Sequence, residues 1–167
     1  MKSIVAVDKN WGIGRDNDLL FSLPADMKHF RETTSGKVIV MGKNTLLSFP
    51  NGAPLKNRTN IVLTTSGVEE REGLTVCRSL DELREELKKY NTDDVFVVGG
   101  GTIYRLLCDA CDEAIVTKVD ADGDATVFFP DLDQRENWVC ESIGEAIETN
   151  GITVRFCHYK NNNVKEI

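Results

Sequence analysis

Two stretches of this chain run an apolar strand into glycine and restart as a helix, and that repeated junction constrains the fold more than any other feature. In Val95-Phe-Val-Val-Gly-Gly-Gly-Thr-Ile-Tyr104, four β-favouring residues meet three consecutive glycines, and a helical segment follows from Thr102 to Cys108. In Lys37-Val-Ile-Val-Met41 the strand reaches Gly42 and continues as the helical Lys43-Asn-Thr-Leu-Leu-Ser-Phe49. Strands apolar at successive positions are buried on both faces, as in a parallel sheet covered by helices. A helix starting at a glycine turn aims bare N–H groups at whatever lies above the sheet, and its dipole favours an anion there. Glycine lets the main chain approach a ligand more closely than any residue with a Cβ. One such junction fits a plain tight turn as well as an anion cradle. Two side by side suit an extended ligand with several phosphates.

The remaining segments agree with an α/β chain. Ile4 to Val7 is a short buried strand that runs into Asp8–Asp18, a polar stretch read as an irregular loop, either a mobile lid or a surface connection. Its Gly12-Ile-Gly14 lacks the third glycine and following helix of a dinucleotide fingerprint. Further strands are Asn60–Thr65, Leu74–Cys77, Glu113–Val119, Trp138–Ile143 and Ile152–Tyr159, the last alternating as an antiparallel edge strand would. Ser79 and Glu82 form a capping box; Leu80, Leu83 and Leu87 make that helix's buried stripe, and Glu85 and Lys89 pair at i,i+4 on its wet side. The tail from Asn161 to Lys165 reads as frayed. Together these make one α/β domain over residues 1–167, with a mostly parallel sheet and late antiparallel strands.

Composition narrows the function. A formal net charge of −7 argues against a broad nucleic-acid surface but leaves room for a small anion held by local donors. No apolar run reaches membrane-spanning length, and the first residues read as a strand instead of a signal peptide. Five scattered cysteines, an odd number, suit a reducing cytosol. Cys108-x-x-Cys111 has no second pair to complete a metal set, and packing explains it better. Asp120-Ala-Asp-Gly-Asp124 resembles a calcium loop, yet Ala125 and Asp131 stand where that template needs glycine and glutamate. His29 and His158 lack ligand partners in sequence and read as surface or strand-face residues, so no metal is expected.

One carboxylate stands out. In Leu23-Pro-Ala-Asp-Met-Lys-His-Phe-Arg31, Pro24 suits a first helical turn, and Leu23, Met27 and Phe30 share a helix face with Asp26. A first-turn acid answers the helix dipole, but it has no need to lie among apolar residues, where it must be paired or suffer desolvation. Asp26 reads as functional.

With Ile4-Val-Ala6, Ile13-Gly14, Leu23–Phe30, Val40-Met-Gly-Lys-Asn-Thr45, Arg58, Val98-Gly-Gly-Gly-Thr-Ile-Tyr104, Thr117 and Phe128-Phe-Pro130 in this order and spacing, the chain resembles dihydrofolate reductase over essentially its whole length. The resemblance implies a single domain around a central eight-stranded, mostly parallel sheet with an antiparallel C-terminal strand and flanking helices. It implies an adenosine-binding subregion at roughly 37–92, and hydride transfer from NADPH to 7,8-dihydrofolate. Asp26 would be the catalytic carboxylate, accepting paired hydrogen bonds from the pterin, with Thr117 as its buttress. Ile4, Val5, Ala6 and Val98 would border the ring, partly through backbone groups. Met27, Phe30, Phe49 and Leu55 would line an apolar slot, and Arg58 would clamp the glutamate carboxylate. For the cofactor, Ala6, Ile13, Gly14 and Tyr104 would surround the nicotinamide; Tyr104 would also border the substrate. Gly42, Asn44, Thr45, Gly99, Gly100, Gly101, Thr102 and Ile103 would carry the pyrophosphate. Leu63, Thr64 and the trio Lys43, Thr65 and Arg78 would meet the adenosine end and its 2′-phosphate, and Thr126 would stand for the threonine of a later loop. A cis peptide is implied at Gly99-Gly100.

Three departures accompany the resemblance. Leu20-Phe21 replaces the family's usual Pro-Trp, Lys43 replaces an arginine, and Gly123-Asp-Ala-Thr-Val127 replaces Gly-Asp-Thr. A monomer that binds dihydrofolate and antifolates in the cytoplasm, without nucleic-acid or membrane partners, is the implied setting. Two rivals are an NADPH-dependent pyrimidine reductase of riboflavin biosynthesis and a non-catalytic nucleotide-binding module. The Asp26 helix followed by Arg58 favours folate over the first, and a buried Asp26, which a purely nucleotide-binding site would not need, argues against the second.

Overall fold

Parallel strands covered on both faces must be apolar throughout, and the centre of the molecule is built that way. The structure, a computed structural model, describes residues 1–16 and 18–167; Asn17, within the polar stretch read as a loop, lies outside the described residues. In chain order the elements are β1 (Lys2–Val7), β2 (Gly12–Arg15), β3 (Asp18–Leu19), α1 (Pro24–Thr34), β4 (Val38–Gly42), α2 (Lys43–Ser48), β5 (Thr59–Leu63), β6 (Leu74–Cys77), α3 (Leu80–Leu87) and β7 (Val95–Gly99). There follow α4 (Gly101–Leu107), β8 (Glu113–Val119), β9 (Val127–Phe128), β10 (Trp138–Ile143), β11 (Ile147–Thr149) and β12 (Ile152–Asn161).

Eight strands form the main sheet in the order β10-β12-β8-β1-β7-β4-β5-β6, and β11 joins through β12 alone. The run from β8 to β6 is parallel; β12 is antiparallel to β8, β10 and β11. Alternate residues supply two layers. Val38, Val40, Val95 and Val97 face a layer closed by Leu83 of α3 and by Ile103, Tyr104 and Leu107 of α4. Ile39, Met41, Val62 and Phe96 face the other, with Leu46 of α2 and, at its margin, Phe30 of α1. Each fully buried aliphatic side chain contributes about 1.5–3 kcal/mol, so the central strands supply much of the driving force.

The expected strands and helices are found, with four corrections. The stretch read as a loop after Asp8 holds two short strands, because β2 pairs with β3 and β9 in a separate three-stranded sheet. β12 is not an edge: β10 lies outside it, pairing Trp138 with Asn161 and Ile143 with Cys157, which local alternation cannot report. The tail does not fray. Asn161, 3% exposed, donates to the carbonyls of Asp109 and Cys111, and the Lys165 amide bonds Asp109 O. On α3 the ion pairs are Asp81–Arg84, Glu85–Lys88 and Glu86–Lys89, at i,i+3 instead of i,i+4. Its cap is as read for Ser79, whose Oγ accepts from the Glu82 amide, while the Glu82 carboxylate reaches one residue further back, to the Arg78 amide.

Candidate active site

The two glycine junctions lie on neighbouring strands. β4 pairs with β7, and Met41 stands opposite Gly99, so both chains leave the sheet side by side at its carboxyl edge. In an open parallel sheet that edge is where ligands bind. The Gly99-Gly100 peptide is cis, and Gly99 has φ 126°, a left-handed backbone that glycine alone adopts freely. A Cβ at Gly99 would come within 3.2 Å of Thr45 Oγ1 and 3.4 Å of the Tyr104 ring, and one at Gly42 within 3.0 Å of Ile103. The junction therefore draws Thr45, Ile103 and Tyr104 onto one backbone corner. α2 and α4 begin at Gly42 and Gly100 with no side-chain cap, so Lys43, Asn44, Thr45, Gly101 and Thr102 form first turns whose N–H groups have no intrahelical partner. Tyr104 is buried and donates from its hydroxyl to Ile4 O at 2.7 Å; burial pushes its pKa far up.

Asp26 sits in the first turn of α1, behind Pro24 and the buried Leu23. Thr117, 1% exposed on β8, donates from Oγ1 to Asp26 Oδ1 at 2.7 Å. Burial pushes the Asp26 carboxyl above its ordinary range; the Thr117 bond and His29 pull the other way. Thr117 pairs with Ala6 of β1, so carboxylate, hydroxyl and the β1 backbone meet at one level of the sheet. Ile4, Phe30, Phe49, Leu55 and Val98 gather on that same face as one apolar wall. Val5 packs its side chain in the opposite layer, which leaves its backbone toward Asp26, and Met27 is 56% exposed.

Arg58 stands at the far end of that wall. Its Nε donates to Thr34 Oγ1 at 3.3 Å, and its guanidinium lies 6.0 Å over the Phe30 ring. Burial and the neighbouring Arg31 lower its pKa, and among the described residues no carboxylate pairs with it.

A second cationic group lies beyond β5, whose Leu63 stands between Gly42 and Cys77 in the sheet. The loop through Thr64, Thr65 and Gly67 passes between Lys43 and Arg78. A Cβ at Gly67 would overlap the Lys43 ammonium, and Arg78 donates to the carbonyls of Thr64 and Val68. Neither cation has a carboxylate partner among the described residues.

The short sheet closes the site from the side. Ile13 is buried, the Thr126 amide donates to Gly14 O at 2.9 Å, and Val127 packs directly on Gly101. Thr126 thus meets β2 through its backbone. Two contributors escaped sequence reading. Arg105 points its guanidinium back to Gly101 and, with Arg135, borders a cavity of about 320 Å3; a lone arginine in a helix carries no signal of its own. Asp8, 3% exposed, accepts the amides of Asn10, Gly12 and Gly123 and so ties β1, β2 and the loop before β9 together. An aspartate at the start of a polar stretch is common in ordinary turns and does not stand out in sequence. No described group of three or more His, Cys, Asp or Glu side chains could hold a metal, and no described helix is long and apolar enough to cross a membrane.

A carboxylate in an apolar wall, a glycine corner with free N–H groups and two separate unpaired cationic groups suit a reaction between an anionic, ring-bearing substrate and a long phosphorylated cofactor. Comparisons with known proteins agree. The family model described as dihydrofolate reductase matches residues 1–161. The chain is 36% identical over 162 residues to the dihydrofolate reductase of Bacillus subtilis, covering 96% of this chain and 94% of that protein. It is 34% identical over 155 residues to the enzyme of Haemophilus influenzae (92% and 93%), and 32% identical over 156 residues to that of Staphylococcus aureus (93% and 94%).

Proposed function

The chain belongs to the dihydrofolate reductase family, and from that premise we propose how its own residues divide the work. The enzyme reduces 7,8-dihydrofolate to 5,6,7,8-tetrahydrofolate, and NADPH, when bound, supplies the hydride. The residues fit that cofactor: glycines keep the corner at Gly99 free of side chains, and Lys43 and Arg78 offer unpaired cations where a phosphate would end. On this reading the N–H groups at Thr45 and Gly101–Thr102, with Arg105, hold the pyrophosphate. Asn44 joins them at the pyrophosphate, Leu63–Thr65 hold the adenosine portion, and Ala6, Ile13, Gly14 and Tyr104 orient the nicotinamide. Residues 37–92 form the adenosine subregion of a catalytic unit spanning 1–167.

Asp26 binds and orients the pterin by accepting two hydrogen bonds from its amino-amidine edge, a charge-assisted bidentate contact. The Thr117 bond fixes the carboxylate for that task, and this bond is the observation that carries the reading. Asp26 favours the protonated substrate electrostatically while water delivers the proton to N5. The wall of Ile4, Phe30, Phe49, Leu55 and Val98, with Met27 at its mouth, excludes water from the ring, and Arg58 forks the glutamate carboxylate. Antifolates compete for the same slot. The net charge of −7 supports a protein without nucleic-acid partners, and we read it as a cytoplasmic monomer.

The test is loss of NADPH absorbance on adding dihydrofolate. Asp26→Asn should lower turnover by about 10²–10⁴, the size of a lost acid–base contribution, with partial recovery at low pH. Full activity of that variant at neutral pH would refute the assignment.

A further inference from the structure

Nothing in the catalytic reading uses the cluster beneath the root of β2, on the opposite face of the sheet from Asp26. Trp11 precedes β2 with φ 64°, a left-handed backbone that a bulky residue adopts only when held there. Its ring is buried, stacked on Phe129 at 6.2 Å and edge-on to Tyr159 at 5.8 Å. The Lys118 ammonium lies 5.0 Å over the Trp11 ring and 5.4 Å over Tyr159. Asp133 fixes that ammonium: Lys118 Nζ donates to Asp133 Oδ2 at 3.0 Å, and the Tyr159 hydroxyl donates to Oδ1 at 2.8 Å.

A cation over two aromatic faces is attracted by both, and the carboxylate sets its direction. Trp11 also borders a cavity of about 400 Å3, shared with Asp8, Lys118 and Arg155. On that side of the ring the Lys118 ammonium is the charged group that lies over its face. Successive residues of a strand face opposite ways. Thr117 and Lys118 accordingly stand back to back on β8, one bonded to Asp26 and the other clamping the residue that launches β2.

We propose that Lys118 is a positioning residue for the cofactor, holding Trp11 so that Ile13 and Gly14 of β2 stay against the nicotinamide. The inference rests on the assignment of Ile13 and Gly14 to that ring.

Steady-state kinetics and equilibrium binding on Lys118→Gln, Lys118→Arg and Ile13→Ala test both. Lys118→Gln should raise the NADPH KM about three- to tenfold, the effect of losing a partly buried cation–π contact. Its dihydrofolate KM and the pH profile of kcat should not move. Its affinity for adenosine 2′,5′-bisphosphate, which lacks the nicotinamide, should match the parent's. Lys118→Arg should restore the NADPH KM, since a guanidinium stacks on the same rings. An unchanged NADPH KM in Lys118→Gln, alongside weakened binding in Ile13→Ala, would overturn the clamp and leave the nicotinamide assignment standing. Normal NADPH affinity in Ile13→Ala would overturn that assignment and the clamp with it. Equal weakening of NADPH and the bisphosphate in Lys118→Gln would mean a general loss of fold and would also refute the clamp.

Discussion

Asp26 is kept where its charge is least welcome, and the free protein bears the cost. In the unfolded chain its carboxyl titrates near the ordinary value of 3.8; in the fold, burial raises that value. Between the two values the folded state binds more protons than the unfolded one, so stability falls as pH rises through that window. Above the folded value the whole cost is present; below 3.8 it is absent. Asparagine keeps an oxygen for the Thr117 hydroxyl and carries no charge. Ligand-free Asp26→Asn should therefore melt higher than the parent at pH 7, and the gap should close as the pH is lowered toward 4. Equal melting temperatures at pH 7 would mean that burial costs this carboxylate nothing. The opposite slopes of activity and stability in one variant are expected where a residue serves the ligand instead of the fold.

At the scale of elements, legibility followed the range of the interactions. The central strands and the two glycine junctions could be read directly, because burial on both faces and a missing Cβ leave marks within a few residues. Asp26 could be flagged from its apolar helix face, but its partner Thr117 lies 91 residues away and came only through the family resemblance. The Asp8 bond to Gly123 and the Lys118 contact with Trp11 likewise join segments far apart in the chain. The tail was misread for the same reason: three asparagines look like fraying until Asn161 is seen filling the carbonyls at the end of α4. That side chain also meets Asn137 and the Asn163 amide, so it joins the end of β12 to three other segments. Asn161→Ala should leave those carbonyls without their donor and destabilise by about 1–3 kcal/mol, measured by urea denaturation. A loss below about 0.5 kcal/mol, the range of an ordinary surface substitution, would show the tail to be decorative.

Across the whole molecule, the sheet separates the two chemical tasks. Thr117 and Asp26 lie at β8, whereas Arg78 follows β6, five strand spacings away, or about 24 Å at ordinary sheet geometry. That separation is about three Debye lengths at physiological salt, where the Debye length is about 8 Å, so the solvent-open Arg78 end couples weakly to Asp26. The overall charge of −7 would repel a polyanionic cofactor, so the proposed assignment gives selection to the local pair Lys43 and Arg78. Lys43 is a point charge where the family usually has an arginine fork, which leaves Arg78 as the planar donor at this end of the site. Its guanidinium is already braced by the carbonyls of Thr64 and Val68. Arg78→Gln should lower kcat/KM for NADPH by about 10–100-fold, the range of a lost charge-assisted hydrogen bond. NADH has no 2′-phosphate to lose, so its kcat/KM should stay within about twofold, and the pH dependence set by Asp26 should not shift. Initial rates with each cofactor at fixed ionic strength decide the matter, and an equal fall for NADPH and NADH would place the phosphate elsewhere.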